Sequence, residues 1–262
     1  MIDLHHHCLP GVDDGPRSWD EAVELCGIAA EEGIETIVAT PHVLRGRWRR
    51  VPHAELQATL DELRARTNDT PHLLLGSEYY FAHDMNEVLA EGTSIVPLGP
   101  SRAILVELAA HAVPPMLEVP LHRAQLDGWT ILLAHPERNA VFQAKPELLA
   151  SLVRLGVRTQ VTAASLTGGF GAEAQRAAMT WLRQGLVHVV ATDAHSAAKR
   201  PPRIREARER VAGIAGEHAA EALFVENPRA ILGDRTLAWE PEVPYATAPG
   251  GVLARLKRFL SK

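Results

Sequence analysis

Cysteine is nearly missing from this chain of 262 residues: Cys8 and Cys26 are the only two. Two thiols cannot build a disulfide framework, and they fit a reducing cytoplasm. Long apolar runs are missing as well. None approaches the ~18 residues that cross a bilayer, and the start, Met1-Ile-Asp-Leu-His5, lacks the basic stretch and apolar core of a secretory signal. Excess positive charge is also lacking. A formal net charge of −5 argues against a dedicated nucleic-acid binder, which needs surplus Lys and Arg to neutralise phosphates. No internal repeat or low-complexity tract occurs. With 46% apolar and 23% charged residues, the chain reads as globular and large enough to bury a core without staples. Aromatic residues make up only 5%, and the 13 histidines equal Phe, Trp and Tyr together. That surplus of imidazole asks for a metal.

Seven β-rich runs alternate with helical patterns: Met1–His5, Glu35–Thr40, His72–Ser77, Ala103–Leu108, Thr130–Ala134, Val157–Thr162 and Val187–Thr192. Ser18-Trp-Asp-Glu21 reads as a capping box opening the first helix, and Gly33 as its stop. Ala54–Arg66, Lys145–Leu155, Glu173–Gln184 and Ile204–Ile214 are also predicted helices. Such alternation implies an α/β fold with parallel strands and helical crossovers. About seven units suit a closed barrel, with a doubly wound open sheet as the competing architecture. After Asp234 the pattern weakens, and residues 235–262 are expected to form a linker and a short amphipathic tail. In that tail Val252, Leu256 and Leu260 interleave with Arg255, Lys257 and Arg258. A helix packed on its own domain explains this pattern better than membrane contact, which would be indirect at most.

The chemistry gathers at the strand ends. The first run ends in His5-His6-His7; alternate side chains of an extended segment share a face, so His5 and His7 point together and His6 away. Asp14 follows shortly. The second run ends at His42, the third at Glu78, the fourth at Glu107 and the fifth at His135. The seventh ends in Asp193-Ala-His195, again a same-face pair. Any one of these alone would be an ordinary packed or surface side chain. Nine together on one rim repel one another and lose solvation unless cations offset them, and nine ligands suit two or three ions. Imidazole with carboxylate and no thiolate suits Mn²⁺, Fe or Zn²⁺. Arg138 and Arg200 lie close to these ligands in sequence, and guanidinium forks match phosphate oxygens. Several divalent ions with two arginines point to phosphate-ester hydrolysis. Cys8, out of phase with His7, is expected to be a small buried apolar residue. Neither cysteine precedes an arginine by the spacing a cysteine-nucleophile phosphatase needs.

Six motifs in order carry a resemblance: Ile2-Asp-Leu-His-His-His7, Val12-Asp-Asp-Gly-Pro16, Thr40-Pro-His42, Gly76-Ser-Glu78, Ala134-His-Pro-Glu-Arg138, and Thr192-Asp-Ala-His195 with Arg200-Pro-Pro202. With Asn227-Pro-Arg-Ala-Ile-Leu232 they resemble the PHP (polymerase and histidinol phosphatase) superfamily over about residues 1–233. Within it they look like the manganese-dependent protein-tyrosine phosphatases of bacterial capsule and exopolysaccharide synthesis. The resemblance implies a distorted (β/α)7 TIM-like barrel over 1–234 and three divalent ions, Mn²⁺ above Fe or Zn²⁺. It implies His5, His7, Glu78 and Asp193 around the first ion; Glu78, Glu107 and His135 around the second; Asp14, His42 and His195 around the third. Arg138 and Arg200 would bind phosphate, attacked by a metal-bridging hydroxide without a phospho-enzyme. The implied substrate is the tyrosine-phosphorylated C-terminal tail of a bacterial tyrosine autokinase that controls polysaccharide synthesis.

His6 departs from the small polar residue that branch often has, and, facing away, is expected to leave the site undisturbed. Four arginines and a tryptophan fill Val43–Pro52, and Arg47, Trp48 and Arg49 are expected to hold an acidic phosphotyrosine tail. A small-molecule phosphatase of the histidinol-phosphate type is the enzymatic alternative. A non-catalytic binder of the phosphotyrosine tail is the other, although such a module needs no metal ligands.

Overall fold

Among the described residues the seven strand-forming runs become nine strands, because two of them are each followed by a further short strand. β1 (Ile2–His6) is continuous. The second run stops at Thr40-Pro41, where proline offers no N–H to a ladder, leaving β2 (Thr36–Ala39) and β3 (His42–Val43). The third run ends its strand at Leu75, and past Gly76-Ser77 a further strand follows, giving β4 (His72–Leu75) and β5 (Glu78–Tyr80). A Cβ on Gly76 would lie 2.8 Å from Val38 Cγ1 and 2.9 Å from Leu98 Cδ2, so only glycine passes there. β6 (Ala103–Glu107), β7 (Thr130–Ala134), β8 (Arg158–Thr162) and β9 (Val189–Ala191) complete the set. The computed structural model describes residues 1–43, 51–92 and 95–240.

All pairings between these strands are parallel, in the orders β1-β2-β4 and β3-β5-β6-β7-β8-β9. Beyond β9, Asp193 N donates to His5 O (2.8 Å) and His7 N to Ala194 O (2.9 Å), fastening that segment to the end of β1. The fold is thus mixed α/β with parallel sheets, as the alternation implies.

The connecting helices are α1 (Trp19–Glu31), α2 (His53–Thr67), α3 (Met85–Glu91), α4 (Glu118–Leu126), α5 (Ala140–Ala144), α6 (Pro146–Arg154), α7 (Ala163–Thr167), α8 (Gly171–Arg183), α9 (Arg205–Ala215), α10 (Glu217–Glu221) and α11 (Asn227–Leu232). At the start of α1, Ser18 Oγ accepts from Glu21 N (3.2 Å), half of the predicted capping box. The other half shifts by one residue: Glu21 Oε2 accepts from Arg17 N (3.0 Å) instead of Ser18 N.

Two apolar clusters hold the frame. One gathers Leu4, Val38, Leu105, Leu132 and Val189 from five strands. The larger joins the other strand residues to helix faces, among them Cys26 of α1, Leu60 of α2 and Trp181 of α8. Cys8 is fully buried there as a free thiol. Residues 235–240, read as the beginning of a linker, are held to this frame: Asn227 Nδ2 donates to Trp239 O (2.8 Å), and Trp239 N donates to Asn227 Oδ1 (3.1 Å). The tail 241–262 lies outside the described residues.

Candidate metal centre

The pairing of β1 with β2 slips between Asp3 and His6, so the strand is irregular where His5 sits. Irregular ladders next to a site re-aim side chains. Here His5 and His7 meet, Nε2 to Nε2, at 3.1 Å. His6 is buried elsewhere, burial holds its imidazole down to about 3, and it takes no part in the cluster.

What lies behind the two imidazoles decides what lies between them. His5 Nδ1 is 2.9 Å from Gln160 Oε1, and His7 Nδ1 is 2.7 Å from Asp13 Oδ2. The backbone N–H of His135 also reaches Gln160 Oε1 (3.4 Å), which fixes the amide with its oxygen toward His5. Both Nδ1 atoms therefore donate, and both Nε2 lone pairs point inward. Facing them are Glu78 Oε1 and Asp193 Oδ1, each 3.4 Å from His5 Nε2. Four acceptors aimed at one another in a buried space need a positive charge among them. A divalent ion fits that demand, and an acceptor behind each histidine is how metal-bound imidazoles are oriented.

Without an ion, protons take that place. Burial works against charge on His7, but Asp13 and Glu78 overcome it and raise its pKa to about 10. At His42 burial is outweighed by Asp14 and Glu78, and its pKa rises to about 9. Burial alone would raise the pKa of Glu78; His5, His135 and His42 hold it well below the usual carboxylate range. His135 goes the other way, down to about 3, through burial and then Arg138.

All nine predicted ligands meet at this rim. Four groups bring ligand atoms within 4.8 Å of one another: His5, His7 and Asp193; His5, Glu78 and His135; His42, Glu78 and Glu107; and His7, Asp14, His42 and His195. Glu78 lies at the middle, 2.8 Å from His135 Nε2 and 2.7 Å from His42 Nδ1. Asp14 Oδ1 is 3.3 Å from the Nε2 atoms of both His42 and His195. The loop that carries it folds tightly onto β1, since a Cβ on Gly15 would stand 2.6 Å from His7 O. Two of the nine, His135 (φ 31°) and Asp193 (φ 52°), hold left-handed backbone that such residues rarely adopt, a strain typical of functional sites.

Arg200 Nη2 donates to Asp193 Oδ2 (2.6 Å) and to Asp193 O (2.9 Å), and Arg138 Nη1 forms an ion pair with the same Oδ2 at 2.8 Å. One carboxylate thus has an oxygen on the imidazoles and an oxygen on two guanidiniums. Burial opposes its charge, but Arg138, His5 and Arg200 hold Asp193 well below the usual range. Ligands and arginines line a cavity of about 270 Å³, whose remaining wall includes Leu108, Ala110, Pro136 and Phe142. Arg47, Trp48 and Arg49, predicted for the substrate tail, lie outside the described residues.

Sequence reasoning misses three residues that support the centre. Six of the seven predicted runs offer a candidate ligand; the remaining one, which forms β8, offers Gln160, a buried neutral amide that ligand counting passes over. Asp13 stands beside Asp14 in the same motif, and only the loop geometry assigns it to His7. Asp3 accepts from Thr192 N (3.0 Å) and Thr192 Oγ1, joining β1 to the segment that bears Asp193.

Residues 1–233 match the family described as capsular polysaccharide synthesis, CpsB/CapC. The chain is 33% identical over 249 residues to the tyrosine-protein phosphatase YwqE of Bacillus subtilis, covering 93% of this chain and 96% of that one. It is 32% identical over 244 residues to the tyrosine-protein phosphatase CpsB of Streptococcus pneumoniae, covering 90% and 100%. Among solved structures it superposes with TM-score 0.88 and 32% identity on one described with YwqE and CpsB as "unique metal-dependent tyrosine phosphatases", over 94% of this chain and 100% of that one.

Proposed function

The chain belongs to the CpsB/CapC capsular polysaccharide synthesis family, and on that premise we propose that it is a metal-dependent protein-tyrosine phosphatase. The observation that carries this reading is Asp193, which faces the imidazole cluster with one carboxylate oxygen and holds Arg138 and Arg200 with the other. A phosphate at this carboxylate would have guanidinium donors on one side and cations on the other.

The reading takes His5, His7, Asp14, His42, Glu78, Glu107, His135, Asp193 and His195 as ligands of three divalent ions, Mn²⁺ first. When bound, such ions supply the charge that lets a water deprotonate near neutrality and that offsets the negative charge of the phosphoryl group. Asp13 and Gln160 keep the Nε2 lone pairs of His7 and His5 directed inward. Arg138 and Arg200 bind the phosphate oxygens and orient phosphorus for in-line attack by water, with cleavage of the bond to the phenolic oxygen. Arg47, Trp48 and Arg49 take the peptide flanking the phosphotyrosine. The substrate we propose is the phosphorylated C-terminal tail of a bacterial tyrosine autokinase, met in the cytoplasm; the two free thiols accord with a reducing compartment. We further infer that residues 1–234 form one catalytic unit, with the strands closed as a distorted (β/α)7 barrel. The bonds from β1 to residues 193–194 and the apolar cluster drawn from five strands support closure.

The test is hydrolysis of a tyrosine-phosphorylated peptide, histidinol phosphate and p-nitrophenyl phosphate by metal-stripped protein with Mn²⁺, Fe²⁺ or Zn²⁺ restored, beside His42→Ala. Metal-dependent preference for the peptide, lost in His42→Ala, is expected. Preference for histidinol phosphate would move the protein to the small-molecule phosphatases. No turnover with any metal would leave a phosphotyrosine-binding regulator.

A further inference from the structure

Phe170 has no part in the ligand set, yet both arginines of the site rest on it. The guanidinium carbon of Arg138 lies 4.6 Å from its ring centroid and that of Arg200 5.4 Å. Both distances fall within the ~6 Å over which a cation is drawn to an aromatic face. The two arginines come from different loops, one after β7 and one after β9, and Phe170 from a third, between α7 and α8. One buried carboxylate fixes two of these loops together. Glu137, next to Arg138, accepts from Thr162 N (3.0 Å) and Ser165 Oγ (2.6 Å) at the start of α7. Phe170 follows α7 within a few residues, so its ring is held in register with the Arg138 turn.

We propose that Phe170 is a positioning residue for the phosphate clamp, a platform that fixes both guanidiniums through their faces. The inference rests on the phosphatase reading and adds to it a residue and a reason. A hydrogen-bonding partner would hold an arginine by consuming N–H donors. A ring holds it through the face and leaves the in-plane donors for phosphate oxygens. Asp193 engages one nitrogen of each guanidinium, and Arg200 Nε is buried with no hydrogen-bond partner among the described residues, a donor still to be used. The single ring also keeps two like charges side by side at the cavity, an arrangement that suits a dianionic oxygen face and costs repulsion without one.

The experiment compares wild type with Phe170→Ala, Phe170→Leu and Phe170→Tyr as Mn²⁺-loaded proteins. Calorimetry measures binding of inorganic phosphate, steady-state kinetics with p-nitrophenyl phosphate measures KM and kcat, and Mn²⁺ content is checked in each. Phe170→Ala is expected to weaken phosphate binding and raise KM about tenfold, with kcat and Mn²⁺ content nearly kept. Phe170→Tyr restores both to within about twofold, because the ring face is retained. Phe170→Leu, which fills space without a π face, stays close to Phe170→Ala. Unchanged phosphate binding in Phe170→Ala, or a leucine as good as a tyrosine, would overturn the platform while leaving the phosphatase reading intact. A wild type that neither binds phosphate nor hydrolyses the ester would overturn both.

Discussion

His7 and His195 stand ring to ring at 3.9 Å and share an open outer group with Asp14 and His42, yet His7 also belongs to a closed inner group with His5 and Asp193. His7 is backed by the buried Asp13 and faces Glu78 and Asp193, both buried. His195 is backed by the backbone carbonyl Asp193 O at 3.0 Å, with Asp193 Oδ1 farther off at 3.5 Å, and faces Asp14, whose side chain is 42% exposed. Their proton affinities diverge accordingly. Burial lowers both imidazoles, but Asp13 and Glu78 reverse the effect at His7. At His195 the neighbouring His7 adds to burial, and the pKa stays depressed. Identical side chains at van der Waals distance thus differ through the carboxylates behind and before them. The inner group carries its own buried counter-charge, whereas the outer group relies on an acid in contact with water.

The strongest blow to the inner group is Asp193→Asn. The amide keeps the shape but not the charge that holds Arg138, Arg200 and the imidazoles together. Breaking such a buried ionic cluster from one side costs about 3–5 kcal/mol, or two to three and a half powers of ten in an equilibrium constant. Divalent-ion affinity and turnover are both expected to fall by at least about a hundredfold, measured by ion titration and by p-nitrophenyl phosphate hydrolysis. Asp14→Asn, at the exposed acid, should lose less affinity and release one class of ion before the others. Equal losses in the two variants would erase the distinction between the groups.

How far the sequence reveals this arrangement follows the same line. The ligands are legible because period-two alternation and strand ends leave a signature: His5 with His7, Asp193 with His195, and single acids or imidazoles after the other runs. The longer helices are legible too; the predicted Glu173–Gln184 and Ile204–Ile214 differ from α8 and α9 by at most two residues at either end. Short α5, α7 and α10 give too few turns for a periodic stripe. What stays hidden is the support. Gln160 is one uncharged residue in a strand, Asp13 and Asp14 are indistinguishable by type, and Phe170 meets its arginines only through three loops that converge in space.

Protons offer a finer probe of the inner group. In metal-stripped protein the His7 pKa is raised to about 10 against ~6.5 unfolded, so the folded state holds the extra proton. That stabilisation is fully present below about pH 6.5 and disappears as pH rises through about 10. His42, raised to about 9, adds in the same direction. Thermal unfolding with a chelator should therefore show stability falling between pH 7 and 10 by up to a few kcal/mol. Bound ions replace the protons, so the loaded protein should show a flatter profile, and loading itself should release protons and tighten with pH. Parallel profiles with and without metal would mean that the histidines titrate independently of the ion site.

The smallest effect tests whether the outer group leans on the frame. Ser18 Oγ caps α1 four residues after Asp14, so a change in the cap could reach the ligand through the chain. The loop, however, has its own fastening: Gly15 N donates to Asp13 Oδ1 (2.9 Å), Gly11 N donates to Pro16 O (2.9 Å), and Gly15 packs against His7 O. These contacts tie Asp14 to β1 rather than to the helix. Ser18→Ala should cost about 1 kcal/mol of stability and about 2–4 °C in melting temperature, with every class of ion bound as in wild type. If the variant instead weakens the same ion class as Asp14→Asn, the helix start positions the outer ligand, and the openness of that group extends into α1. An unchanged ion titration with a lowered melting temperature would assign Asp14 to the strand-end scaffold that holds His7, leaving exposure alone as what separates outer from inner.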